Sequence, residues 1–135
     1  MWDLDGTPAG APGEAAPHLT GYESLIGRIA AKTTAFRKPV LMFNGDSHIY
    51  RSDNPLAPGA ACVTEPTSGA PALPCKNDDW LSHPFYNVSN FHRVVVHGST
   101  FPLEWLKLTI DTRANAAAGD TAIGPFSWKR MTETP

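Results

Sequence analysis

Asp46 and His48 are the residues of this chain best placed to do chemistry together. They lie in the run Lys38-Pro39-Val40-Leu41-Met42-Phe43-Asn44-Gly45-Asp46-Ser47-His48-Ile49-Tyr50-Arg51. Val40 to Phe43 read as a short buried strand. Asn44-Gly45 is a pair that tolerates positive φ and stops it. In a locally extended chain, residues two apart point to one side. The carboxylate of Asp46 and the imidazole of His48 then converge while Ser47 faces away. The carboxyl end of a strand is where open α/β sheets place ligands. Near it, Asn44 can donate to a phosphate or cap the turn. Arg51 can clamp a phosphate oxygen through charged hydrogen bonds, or stand as a solvated surface cation.

The elements that must hold these residues are legible on either side. Residues 20–36 carry a helix signature. Thr20 and Glu23 form a Thr-x-x-Glu capping box. Tyr22, Leu25, Ile26, Ile29, Ala30, Thr33 and Phe36 repeat as one apolar face, and Pro39 prevents continuation. Residues 91–97 alternate as a strand, with His92 and His97 on opposite faces, so the two cannot serve one site. In residues 104–111, Leu106, Leu108 and Ile110 share one face, and Trp105, Lys107 and Thr109 the other. A last short strand is expected around residues 126–129, with Trp105 and Trp128 as packing residues. Residues 112–124 read as a loop, which favours an antiparallel meander of three strands. The expected fold class is α/β, with one main helix and a mostly antiparallel set of strands.

The rest is loop-rich. Pro 13 and Gly 11 exceed the usual share. Residues 1–19 read as a flexible arm, and residues 20–135 as one partial domain with a long irregular 51–90 loop. Cys62 and Cys75 sit in that loop. A disulfide there stabilises by roughly 3 kcal/mol in the chain-entropy account; the other reading is two reduced thiols. Net charge is -2 and hydrophobic residues make up 41%. With no basic run longer than Arg37-Lys38, nucleic acid is not an expected partner. No apolar run approaches the roughly 18 residues of a membrane span.

Two family resemblances follow from these residues. The run ending in Arg51, together with Asp53-Asn54-Pro55-Leu56, Asn90-Phe91-His92-Arg93-Val94 and Glu104-Trp105-Leu106-Lys107-Leu108-Thr109-Ile110-Asp111, resembles the carboxyl-terminal part of calcineurin-like metallophosphoesterases, in a bacterial secreted-type branch. The resemblance covers roughly residues 18–130. It implies an α/β sandwich with a two-metal site at strand ends, hydrolysing phosphate esters with zinc, manganese or iron. The family's last ligand motif is usually Gly-His-x-His. Gly45-Asp46-Ser47-His48 stands in its place, with His48 as a metal ligand and Asp46 as a ligand or a residue that orients one.

The family's Asp-x-His, Gly-Asp-x-x-Asp and Gly-Asn-His-Asp motifs do not stand upstream of Gly45. The resemblance therefore implies a carboxyl-terminal fragment, completed by a missing N-terminal segment. It would bind two divalent ions in the full-length context, but weakly or not at all alone, with little hydrolysis. An extracytoplasmic or secreted location is expected for the whole. Asp3-Leu4-Asp5-Gly6-Thr7 is similar to the nucleophile loop of haloacid-dehalogenase-type phosphatases, with Asp3 attacking phosphorus and Asp5 as acid/base. It lacks the buried strand before it, and Tyr50 stands where Gly45-Asp46 would need a further acid. The remaining alternative is a non-catalytic accessory or binding domain that retains the fold.

Overall fold

The structure, a computed structural model, describes residues 23–45, 49–65, 67, 69–76, 86–98 and 103–132. It is α/β: one helix lies on a five-stranded sheet, whose other face packs on a four-stranded antiparallel sheet.

Helix α1 spans Glu23–Phe36. Thr20 and Tyr22 lie outside the described residues, and so does the expected arm. Ile26, Ala30 and Thr33 are buried, as their spacing requires. Leu25 and Phe36 belong to the expected apolar face but are 50% and 57% exposed. Arg37 ends the helix in the left-handed region, with φ 57° and its N–H on the Thr33 carbonyl. The Asn90 amide donates to the carbonyls of Thr33 and Lys38, at 2.9 and 2.8 Å. It satisfies orphan groups at the helix end and ties them to the start of a central strand.

The first sheet contains β1 (Val40–Asn44), β2 (Arg51–Asp53), β3 (Val63–Thr64), β4 (Leu73–Pro74) and β5 (Phe91–Val95). Its order is β1-β5-β2-β3-β4, and β1 runs parallel to β5 while the other pairs are antiparallel. β1 is an edge strand, so it is only partly buried and Phe43 is 41% exposed. The expectation of a fully buried strand misses this because periodicity does not reveal sheet order. The strand also runs through Asn44, and Gly45 has no positive φ. The segment 51–90, expected to be irregular, contributes three short strands, β2 to β4. They are two or three residues long, too short for a periodic signal. Cys62 and Cys75 form a disulfide with their Cα atoms 5.4 Å apart. It pins the β3–β4 pair, where Pro74 sits on the outer strand and needs no ladder donor.

The second sheet contains β6 (Glu104–Ile110), β7 (Ala116–Gly119), β8 (Ala122–Gly124) and β9 (Phe126–Thr132) in the order β6-β9-β8-β7. The expected three-strand meander is therefore corrected. β5 belongs to the other sheet, and the 112–124 loop contains the β7–β8 hairpin. β6 pairs with β9 along seven residues.

Side-chain alternation on β5 separates two cores. Phe91, with Leu56 and Val88, packs against Ile26 and Ala30 of the helix. Val94, with Tyr50, packs against Ile123 and Trp128 of the second sheet. Trp128 is 4% exposed, whereas Trp105 is 50% exposed and does not fill a core. Leu108 and Ile110 are likewise exposed. Gly124, at φ 53°, lies so close to β1 that a Cβ there would meet Pro39 Cγ at 2.3 Å. The two sheets thus touch where the chain enters β1. Among the described residues, no helix is long and apolar enough to cross a membrane.

Candidate functional site

The carboxyl end of β1 is the place the sequence marks for ligands. Asp46 and His48 lie outside the described residues, as do Asp3 and Asp5, but the strand leading to them is placed. Asn44 pairs with Val95 across β1 and β5, and Val95 pairs with Arg51 across β5 and β2. Asn44, Val95 and Arg51 therefore form one row on the helix side of the sheet. At one strand spacing per step, the outer two are about 10 Å apart. The parallel pair also continues past the last strand residue, since Val96 N donates to the Asn44 carbonyl at 2.7 Å.

A turn cap at Asn44 and a solvated surface cation at Arg51 are the other readings open in the sequence, and burial bears on both. Arg51 is 2% exposed, so it is not a solvated surface residue. Among the described residues, Asn44 Oδ1 is buried without a hydrogen-bond partner. An unmet buried acceptor costs about 1–3 kcal/mol. Replacing it with an apolar residue of similar shape removes that cost. Asn44→Leu is accordingly expected to raise the metal-free stability by about 1 kcal/mol in urea unfolding. A loss of stability would mean that the amide supports the turn after all.

Next to this row, two charged or polar pairs are locked. Asp53 and Arg93 face each other in the β2–β5 register. Arg93 Nε donates to Asp53 Oδ1 at 2.9 Å and Nη2 to Oδ2 at 2.6 Å, with both side chains essentially unexposed. On the opposite face, Ser52 Oγ lies 2.8 Å from His92 Nε2 and donates to the Asp120 carbonyl at 2.7 Å. A hydroxyl has one proton. With that proton on Asp120, His92 must donate from Nε2. Burial pushes the His92 pKa down to about 4, against the smaller upward pull of Asp53 and Asp120. This Ser–His contact resembles a nucleophile and base by distance alone. The proton runs the wrong way for activation, and both residues are buried. The pair is structural, with His92 also tilted against Trp128 at 5.0 Å.

A third cluster, not anticipated from the sequence, joins the two sheets. Glu65 follows β3, His97 follows β5, Glu104 opens β6 and Arg130 lies on β9. Arg130 Nη2 donates to Glu65 Oε2 and to Glu104 Oε1, its Nε donates to Glu104 Oε2 at 2.9 Å, and its Nη1 donates to the Ala70 carbonyl at 2.9 Å. Tyr50 N donates to Glu65 Oε1 at 2.6 Å, and His97 Nε2 lies 3.4 Å from the same oxygen. Burial raises the Glu65 pKa, while the Tyr50 N–H, Arg130 and His97 oppose the rise and Glu104 adds to it. Burial also raises that of Tyr50, whose hydroxyl accepts from Trp128 Nε1 at 3.1 Å. A signal for this cluster was available. Glu104 shares the face of Leu106, and Arg130 that of Trp128. A charge at an inward position of an alternating strand calls for a buried partner.

The structure thus brings Asn44 and Arg51 into one row and bridges Cys62 and Cys75; His92 and His97, expected on opposite faces, both reach groups that contact β9, His92 at Ser52 and Trp128 and His97 at Glu65 beside Arg130. No family model, curated protein or solved structure matches the chain.

Proposed function

We propose that this chain supplies part of a two-metal phosphoesterase centre at the carboxyl end of β1, completed by further polypeptide. The observation that carries the reading is the row Asn44–Val95–Arg51 at the end of the parallel β1–β5 pair. Parallel strands end together there, and such ends are where ligands sit in open α/β sheets. Asn44 Oδ1, unmet among the described residues, fits a centre in which a cation or donor is supplied to it. The donor set of Asp46 and His48 fits divalent ions of the zinc, manganese or iron class.

In this reading His48 is a metal ligand, and Asp46 is a ligand or orients one. Asn44 and Arg51 face the phosphate group. A guanidinium keeps its charge at depth and matches phosphate oxygens in a planar fork. Two bound divalent ions would supply an activated water and hold phosphoryl oxygens. The locked Asp53–Arg93 and Ser52–His92 pairs take no part in the chemistry; they fix β2 against β5 and so fix Arg51. The Cys62–Cys75 bridge is compatible with an oxidising, extracytoplasmic setting.

The test is equilibrium dialysis against Mn²⁺ and Zn²⁺ followed by metal analysis. The chain is expected to retain metal weakly, and Asp46→Asn and His48→Ala each to lower its affinity roughly tenfold or more. Unchanged metal content and thermal stability in both variants would support a non-catalytic binding domain instead.

A further inference from the structure

We propose that Glu65, His97 and Glu104 form a second divalent-cation site, which Arg130 fills from within and from which a borderline ion such as Zn²⁺ displaces it. One ligand atom from each of the three residues lies within 4.8 Å of the others. Zinc bonds to oxygen and nitrogen are about 2.0–2.2 Å, so the three atoms need to close by about 1 Å to share an ion. The cluster is already anchored for this. The Tyr50 N–H orients one Glu65 oxygen, and the Glu65, His97 and Glu104 side chains are 0%, 1% and 2% exposed.

Two carboxylates and an imidazole make three protein ligands, which leaves a fourth position open as in sites where zinc takes an exchangeable ligand. Their mixed nitrogen and oxygen character favours zinc-like ions over calcium.

Charge explains why the place is filled now and why it can exchange. Two buried carboxylates demand a cation, and the Arg130 guanidinium sits on both. It is monovalent, so two ionised carboxylates keep one negative charge that it does not match. A divalent ion removes that remainder. Arg130 is also the member with a way out: its side chain is 17% exposed, and its remaining ties are to Glu104, the Ala70 carbonyl and the face of the Tyr50 ring, 4.7 Å from its Cζ. Leaving places its charge in water, at little cost compared with burying it unpaired.

The experiment is Zn²⁺ titration calorimetry in the Asp46→Asn/His48→Ala chain, so that the centre proposed above is silent and the two readings fail separately. Weak binding is expected with Arg130 present. Arg130→Ser should tighten it on the order of a hundredfold, the competition from a buried ion pair having been removed. His97→Gln added to Arg130→Ser should abolish the gain. If Arg130→Ser unfolds without metal, thermal melting with and without Zn²⁺ gives the readout, and restoration of a cooperative transition supports the site. The proposal is overturned if Arg130→Ser shows no Zn²⁺-dependent binding or melting shift, or if His97→Gln leaves that response intact.

Discussion

Asp53→Ala is expected to lower stability by about 3–5 kcal/mol, enough to consume much of the stability of an ordinary small domain. Asp53 and Arg93 are 1% and 0% exposed and make a two-point contact in the middle of the first sheet. Removing the carboxylate leaves a guanidinium under the helix, where solvation is poor. Most of the loss is the cost of that stranded charge rather than the worth of the pair itself. A second variant separates the two. Asp53→Leu/Arg93→Met removes both charges and retains volume, and buried ion pairs replaced this way are often neutral or stabilising. Urea unfolding should therefore show the double variant recovering most of the single variant's deficit. A nearly neutral Asp53→Ala would mean that water reaches Arg93 in the folded chain.

Acid should expose the second large effect, at His92. Its folded pKa is about 4, against about 6.5 for an unperturbed imidazole. Between these values the unfolded chain binds the proton and the folded chain does not. The contribution is complete above pH 6.5 and is lost as pH falls through 4, and amounts to roughly 3 kcal/mol. Glu65 acts in the opposite sense. Its raised pKa gives a contribution present below the usual carboxylate value and lost as pH rises through the folded one. Comparison of wild type with His92→Gln isolates the first effect, because glutamine can donate to Ser52 without titrating. Chemical unfolding from pH 7.5 to 4 should show a steeper fall for wild type. Parallel curves would mean that the imidazole is protonated in the fold or reaches solvent.

The helix and the strands β1, β5, β6 and β9 were readable because each is long enough for its period to show. Ile26, Ala30 and Thr33 mark one helical face, and Leu106 and Trp128 mark inward strand positions. β2, β3 and β4 were not readable. Arg51-Ser52-Asp53 looks like loop sequence, since every residue is polar, yet all three are buried. Their burial comes from neighbours distant in the chain: Arg93 for Asp53, and His92 with Asp120 for Ser52. The same holds for the candidate sites. Asn44 and Arg51 attract notice through their types, but only the order β1-β5-β2 puts them in one row. Arg51 reads equally well as a surface residue until that order is known.

By itself the sequence determined the local matters: where the helix runs and stops, that the chain is α/β, which faces of the longer strands are apolar, and that Asp46 and His48 follow a strand end. These depend on neighbours within a few residues, whose spacing is written in the chain. The tertiary structure alone decided that β1 is an edge strand parallel to β5, that two sheets rather than one meander form, and that Glu65, His97, Glu104 and Arg130 meet. The last of these draws four residues from four segments up to 65 positions apart. No local preference selects such a meeting. Each charge can be buried only because the others arrive with it, and that condition exists only in the folded chain.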